Sequence, residues 1–171
     1  MDPFEAIRKE RKTGKLFCGT TKAAKSVTGL AAEFGLKADA SLYHQVDADM
    51  ARAILVGILH RDLAYGNRLL SLARAEELAG QVIQQFSDPA IRYLTNAQFK
   101  QGAGVGLVMS HWDPATTSTF DTGLLILGTA ESACVWVAED DGTPPARSVR
   151  QRGNKLSNFG STRSRSQSLD R

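Results

Sequence analysis

The sequence predicts an α+β domain: a helical N-terminal part packed on a small, mostly antiparallel sheet with a C-terminal hairpin, followed by a disordered basic tail. Three observations carry that expectation. Apolar residues recur at 3–4 spacing through the first half of the chain, as on the buried face of a helix. Two short apolar runs, 124–127 and 133–138, are bounded by turn residues and read as strands buried on both faces. Helices first and strands last is the order of an α+β fold.

The elements follow in turn. Asp2 and Pro3 form a cap-and-start pair, because proline is tolerated at the first helical position. The short helix they open carries Phe4 and Ile7 on one side and Arg8, Lys9, Arg11 and Lys12 around the rest, and Gly14 ends it. It is expected to be frayed, with a solvated charged face. A second helix is expected from Thr20 or Thr21 to Phe34, stopped by Gly35. Residues 37–46 carry only weak turn signals.

Asp47, with Asp49 in the following turn, starts the strongest helix. Its stripe is Met50, Ile54, Leu55, Ile58, Leu59 and Leu63, and Gly66-Asn67 stops it. A further helix runs from about residue 69 or 72 to Phe86, with Gly80 marking a kink or a close contact. Asp88-Pro89 reads as the opening of a helical turn through Leu94. Residues 100–106 form a glycine-rich connector, 105–109 a strand, and 111–114 a turn leading to a Thr-rich approach. The hairpin then spans 120–141. Its strands are joined at 128–132, and Glu139-Asp140-Asp141 is read as an acidic tip.

Charge divides the chain more sharply than hydropathy does. Residues 1–25 hold seven Lys/Arg against three Asp/Glu, net +4; residues 26–141 hold seven against fourteen, net −7; residues 142–171 hold seven against one, net +6. An acidic body is flanked by basic segments. The expected division is a basic N-terminal arm at 1–19, an acidic α+β core at 20–141 and a disordered basic tail at 142–171, which has too few apolar residues to offset its ordering entropy. At 171 residues the chain suits one domain plus tails. No apolar run approaches the roughly 18–20 residues that span a bilayer. The charged N-terminus lacks the apolar segment of a secretory signal, which points to a cytoplasmic protein without membrane contact.

Few motifs carry chemistry. Cys18 and Cys134 stand alone among small or apolar neighbours, without the spacing of a disulfide framework or a zinc site. His44, His60 and His111 show no metal-ligand spacing, and no cofactor or metal is expected. The glycines at 102, 104 and 106 lack the spacing and following helix of a dinucleotide fingerprint. Residues 30–37 resemble the first half of a helix-turn-helix, with Ala31 four residues before Gly35. Ser41 stands where the second helix wants a branched apolar residue, and the would-be reading face carries only Lys37 as a cation. An ordinary helical hairpin is the expectation there.

Three functions remain. The first is a non-enzymatic binding protein whose acidic surface engages a basic partner through Trp112, Asp113, Trp136, Glu139, Asp140 and Asp141. One form of it is a cytosolic inhibitor, such as the immunity partner of a nuclease toxin. The second is a nucleic-acid-associated viral or phage accessory protein. It would bind phosphates through Arg8, Lys9, Arg11, Lys12 and Lys15 and through Arg147, Arg150, Arg152, Lys155, Arg163 and Arg165 in the tail. The third is a small hydrolase built on His111, Asp113 and Asp121, where loops at strand ends carry function.

Overall fold

In the computed structural model, residues 1–22, 24, 26–101 and 107–142 are described. The elements in chain order are α1 (Pro3–Glu10), β1 (Lys15–Lys22), α2 (Val27–Glu33), a 3-10 turn (Ala40–Leu42), β2 (His44–Val46), α3 (Ala48–His60), α4 (Leu72–Gln85), β3 (Arg92–Thr95), β4 (Ala97–Gln101), β5 (Leu107–Trp112), β6 (Phe120–Leu127) and β7 (Glu131–Glu139). Five strands form an antiparallel sheet in the order β1-β7-β6-β3-β2, and β4 pairs with β5 as a separate two-stranded ribbon. The α+β expectation holds, and the hairpin β6–β7 occupies the interior of the larger sheet.

The apolar runs of that hairpin alternate between two cores, as a side-chain period of two requires. Leu124, Ile126, Ala133, Val135 and Val137 face α1, α3 and α4 with Ile7, Leu55, Leu59 and Leu78. Leu125, Cys134 and Trp136 face the opposite side, where α2 brings Leu30 and Ala31. The sheet is therefore covered on both faces, which is why its strands lack polar alternation. Tyr43 packs edge-on against Trp136 with ring centroids 5.9 Å apart. Trp136 itself is fully buried.

The ends of the helices follow their caps. Asp47 accepts from Met50 N at 2.7 Å to start α3, and Ser71 accepts from Arg74 N at 3.2 Å to start α4. α2 is shorter than expected: Thr20 and Thr21 belong to β1, and Ser26 is the cap, accepting from Gly29 N. The helical turn expected after Asp88 is replaced by strand β3, because residues 92–95 pair with β6 and bury Tyr93 and Leu94. The segment after Gly35 forms the 3-10 turn and β2 where a second DNA-reading helix would lie, so no helix-turn-helix is present.

The N-terminal segment is not an arm. Phe4, Ala6 and Ile7 are buried, and Phe4 meets Phe86 edge-on at 6.2 Å. The expected boundary after residue 19 falls inside β1, which pairs along its whole length with β7. Residues Met1–Asp141 form one compact unit; the tail expected to be disordered lies outside the described residues from 143 onward.

Arg11 explains why the segment is held. It is 2% exposed, and its guanidinium donates to Glu139 Oε1 at 2.5 Å, to Ile58 O at 2.7 Å and to Thr13 O. Ile58 O is one of the carbonyls that the end of α3 leaves without a helical partner, so the cation also caps that helix. The other carboxylate oxygen of Glu139 accepts from Leu63 N at 2.7 Å and Ala64 N at 3.2 Å. Gly14, at φ +73°, fits this crossing because a Cβ would lie 2.6 Å from Glu139 Cγ. Glu139 is thus 4% exposed and internal, and the sequence's acidic tip begins only at Asp140.

Removing one partner of a buried ion pair leaves an uncompensated charge. Arg11→Ala and Glu139→Ala are each expected to lower unfolding stability by about 3–5 kcal/mol. The double Arg11→Met/Glu139→Leu variant should lose clearly less than the sum of the two. Urea denaturation followed by circular dichroism measures both.

Candidate binding cleft

The strands of the smaller ribbon leave the main sheet at Asn96. The Asn96 amide donates to Asp113 O at 2.8 Å, Asp121 O at 3.1 Å and Asp121 Oδ1 at 3.0 Å, clamping the fork where β3 becomes β4. From there β4 and β5 run toward α3. Ala97 pairs with Trp112, Gln98 with His111 and Phe99 with Met109, so Ser110 is an extra residue on β5. The bulge shifts the side-chain alternation by one and puts Trp112 on the same face as Phe99, Leu107 and Met109. Without it Trp112 would fall on the opposite face.

That apolar ribbon face, Phe120 and one side of α3 line a cleft of about 570 Å³. α3 contributes Ala53, Val56 and Gly57, the residues beside the stripe that it buries in the core. Trp112 packs on Phe120 with ring centroids 5.5 Å apart, and both rings line the cleft. Arg52, Glu76, Arg61 and Asp62 contribute charge to the walls. His60 also lines the cleft; because its Nδ1 meets the carbonyl of Leu70 at 2.8 Å, that nitrogen carries the proton and Nε2 is left without a partner among the described residues.

The rim between α3 and α4 is a wound loop. The Asp62 carboxylate accepts from Tyr65 N at 2.6 Å, Gly66 N at 2.9 Å and Asn67 N at 3.2 Å, and Arg61 donates to Gly66 O at 2.7 Å. Glu139 holds the same loop from below through Leu63 and Ala64. Tyr65 is 68% exposed on this loop, and Val108 on the ribbon is 50% exposed. Apart from Met1 they are the only large hydrophobic residues strongly exposed among the described residues; Tyr65 sits on the rim loop, whereas Val108 shares the outer face of the ribbon with His111.

The residues expected to bind a partner separate into two groups. Trp112 lines the cleft; Asp113 and Asp140 are exposed beside it, and the carbonyl of Asp141 accepts from the Tyr65 hydroxyl. Trp136 and Glu139 are withdrawn into the interior and cannot touch a partner. Among the expected phosphate-binding residues, Arg11 is the buried helix cap. Arg8 donates to Cys18 O at 3.0 Å, and Lys9 pairs with Glu5 at 2.9 Å. Lys12 and Lys15 are exposed, without an ion pair among the described residues. Arg147, Arg150, Arg152, Lys155, Arg163 and Arg165 lie outside the described residues.

The hydrolase arrangement is not assembled. Asp121 is fully buried, and its carboxylate accepts from Ala115 N, Thr116 N, Thr116 Oγ1, the Asn96 amide and, at 3.3 Å, Trp136 Nε1. Five donors leave no lone pair facing a substrate, so Asp121 organises the 113–118 turn instead. His111 is exposed on the outer face of the ribbon. No group of three or more His, Cys, Asp or Glu side chains is placed to hold a metal among the described residues. No helix among them is long and apolar enough to cross a membrane.

Sequence reasoning missed most of the cleft. Val56 and Phe99 were unremarkable there, and the only usable signal was the alternation of Leu107 and Met109 before an aromatic residue. Comparison with protein-family models, with curated proteins and with solved structures finds no match.

Neither cysteine is poised as a nucleophile. Burial pushes the Cys18 thiol up to about 12, against a smaller opposing effect of Arg8, and burial raises the Cys134 thiol well above its ordinary range. Both thiols are therefore expected to resist a colourimetric thiol reagent at pH 8 in the folded protein and to react fully once it is unfolded in urea. Rapid labelling of the native protein would contradict this placement.

Proposed function

We propose that this chain is a non-enzymatic protein-binding module that receives the apolar side chains of a partner in the cleft between α3 and the β4–β5 ribbon. The observation that carries the reading is the apolar wall of Phe99, Leu107, Met109 and Trp112 facing Ala53 and Val56 of α3, with Tyr65 exposed on the rim loop beside it. Exposed apolar surface of this kind is costly to maintain in isolation and marks contact sites when it adjoins a concave apolar patch. The cleft lies within the roughly 300–1,000 Å³ range of small-ligand sites, but a small ligand held inside it would leave Tyr65 uncovered. A protein covers both, with tyrosine and tryptophan as the anchoring residues such contacts favour.

The partner's chemistry follows from the border. The carboxylates of Asp113, Asp140 and Asp141 accompany Trp112 and Tyr65. They favour a segment whose apolar anchors are flanked by Lys or Arg, and they speed encounter with a basic surface. From Arg52 to Arg61 the cleft follows α3 for about 14 Å at 1.5 Å per residue, a length that fits two or three turns of an amphipathic helix. A cytosolic inhibitor seated on a basic protein is one form of this activity.

The test is co-purification from the native host under nuclease treatment, comparing wild type with Val56→Arg, Met109→Arg and, as a control on the outer face, His111→Ala. One stoichiometric protein partner is expected, retained by His111→Ala and weakened at least tenfold in each cleft variant. In a Trp136→Phe background, that partner should change the fluorescence of Trp112. Equal capture by all variants, or material that disappears with nuclease and moderate salt, would reject the reading; the second outcome would favour nucleic-acid association instead.

A further inference from the structure

A second hollow, of about 300 Å³, lies on the other side of the sheet edge. Its walls come from three places: Lys15 and Phe17 on β1, Leu36 and Lys37 after α2, and the turn containing Thr117 and Ser118. Each wall is fixed. Gly35, at φ +78°, ends α2 with Gly35 N bonded to Ala32 O and Leu36 N bonded to Ala31 O, an arrangement that a glycine readily adopts. Lys37 N donates to Ala115 O at 2.9 Å, joining the second wall to the third. Thr116 is held by Asp121 through both its N–H and its hydroxyl, and Ser118 N donates to Thr116 Oγ1 at 3.1 Å.

The polar groups facing this hollow are unspent. Lys15 and Lys37 are exposed and enter no ion pair among the described residues. Ser118 lines the hollow, and its hydroxyl stays accessible to solvent with no hydrogen-bond partner among the described residues. Near the turn, Asp121 accepts from its donors and Asp140 Oδ1 from Thr119 N at 3.0 Å, while Asp113 at the start of the turn is exposed. Phe17 and Leu36 supply the apolar part of the lining.

We propose that this hollow binds a phosphate monoester carried on an apolar or aromatic body. Two ammonium groups match the near-double negative charge of a phosphate monoester at neutral pH. The Ser118 hydroxyl donates to a phosphate oxygen in a charge-assisted hydrogen bond, and Phe17 and Leu36 cover the apolar body. This site stands apart from the cleft and does not rest on the protein-binding reading.

Phenyl phosphate is the probe, titrated into the full ¹⁵N-labelled chain while amide resonances are followed, with inorganic phosphate and phenol as separate arms. Saturable shifts are expected at residues 35–37 and 116–118, with phenyl phosphate binding at least tenfold more tightly than inorganic phosphate and phenol giving none. Lys15→Gln/Lys37→Gln should weaken binding at least tenfold, and Ser118→Ala about threefold, with the rest of the spectrum unchanged. Absence of saturable shifts in this region, or equal binding by the lysine double variant, would overturn the assignment. Equal affinity for phenyl phosphate and inorganic phosphate would overturn the role of Phe17 and Leu36.

Discussion

The ion pair of Arg11 and Glu139 is the constraint on which the rest of the molecule depends. Two charges with side chains 0% and 4% exposed stand 2.5 Å apart, and each has further work. Arg11 closes the carbonyl end of α3, and Glu139 receives two amides of the loop that follows it. Four separate stretches of chain meet at this point: the end of α1, the end of α3, the loop at 61–68 and the end of β7. Such a pair adds little net stability over a well-packed apolar substitute, but it sets one arrangement of those stretches because every alternative leaves a charge unmet.

That arrangement decides where the cleft is. The loop bearing Leu63 and Tyr65 is fastened to Glu139, and the opposite wall is fastened at Asn96, whose amide bridges Asp113 and Asp121. One wall is therefore anchored by an ion pair and the other by a neutral amide on a buried carboxylate. Between them α3 is an amphipathic helix read in two directions. Leu55, Ile58 and Leu59 face the sheet, while Ala53 and Val56 face the cleft.

Much of the fold was legible because local chemistry and tertiary context agree in it. The Asp47 cap, the stripe of α3 and the two apolar strands of the hairpin each follow from a short window of sequence. What was not legible depends on distant partners. Arg11 reads as one more cation in a basic segment until Glu139, 128 positions away, is placed beside it. Trp136 beside three acidic residues resembles a surface anchor, yet the strand alternation that buries Ala133 and Val135 on one face sends it into the core on the other. Trp112 owes its orientation to one surplus residue, and no periodicity argument locates a bulge before the pairing is known. The cleft was hidden for the same reason: its lining comes from a helix flank and a ribbon that only the folded chain brings together.

The position of β1 has a consequence for biosynthesis. It lies at the edge of the sheet and pairs only with β7, its last residue Lys22 opposite Glu131. A ribosome adding about 5–20 residues per second delivers β7 several seconds after β1 has emerged. Until then the nascent chain holds Phe4, Ile7 and the edge of β1 without the strand that completes them. The domain therefore closes late and through contacts of long sequence separation, the kind that slow folding most. Its N-terminal segment is the part with most to gain from a chaperone during synthesis.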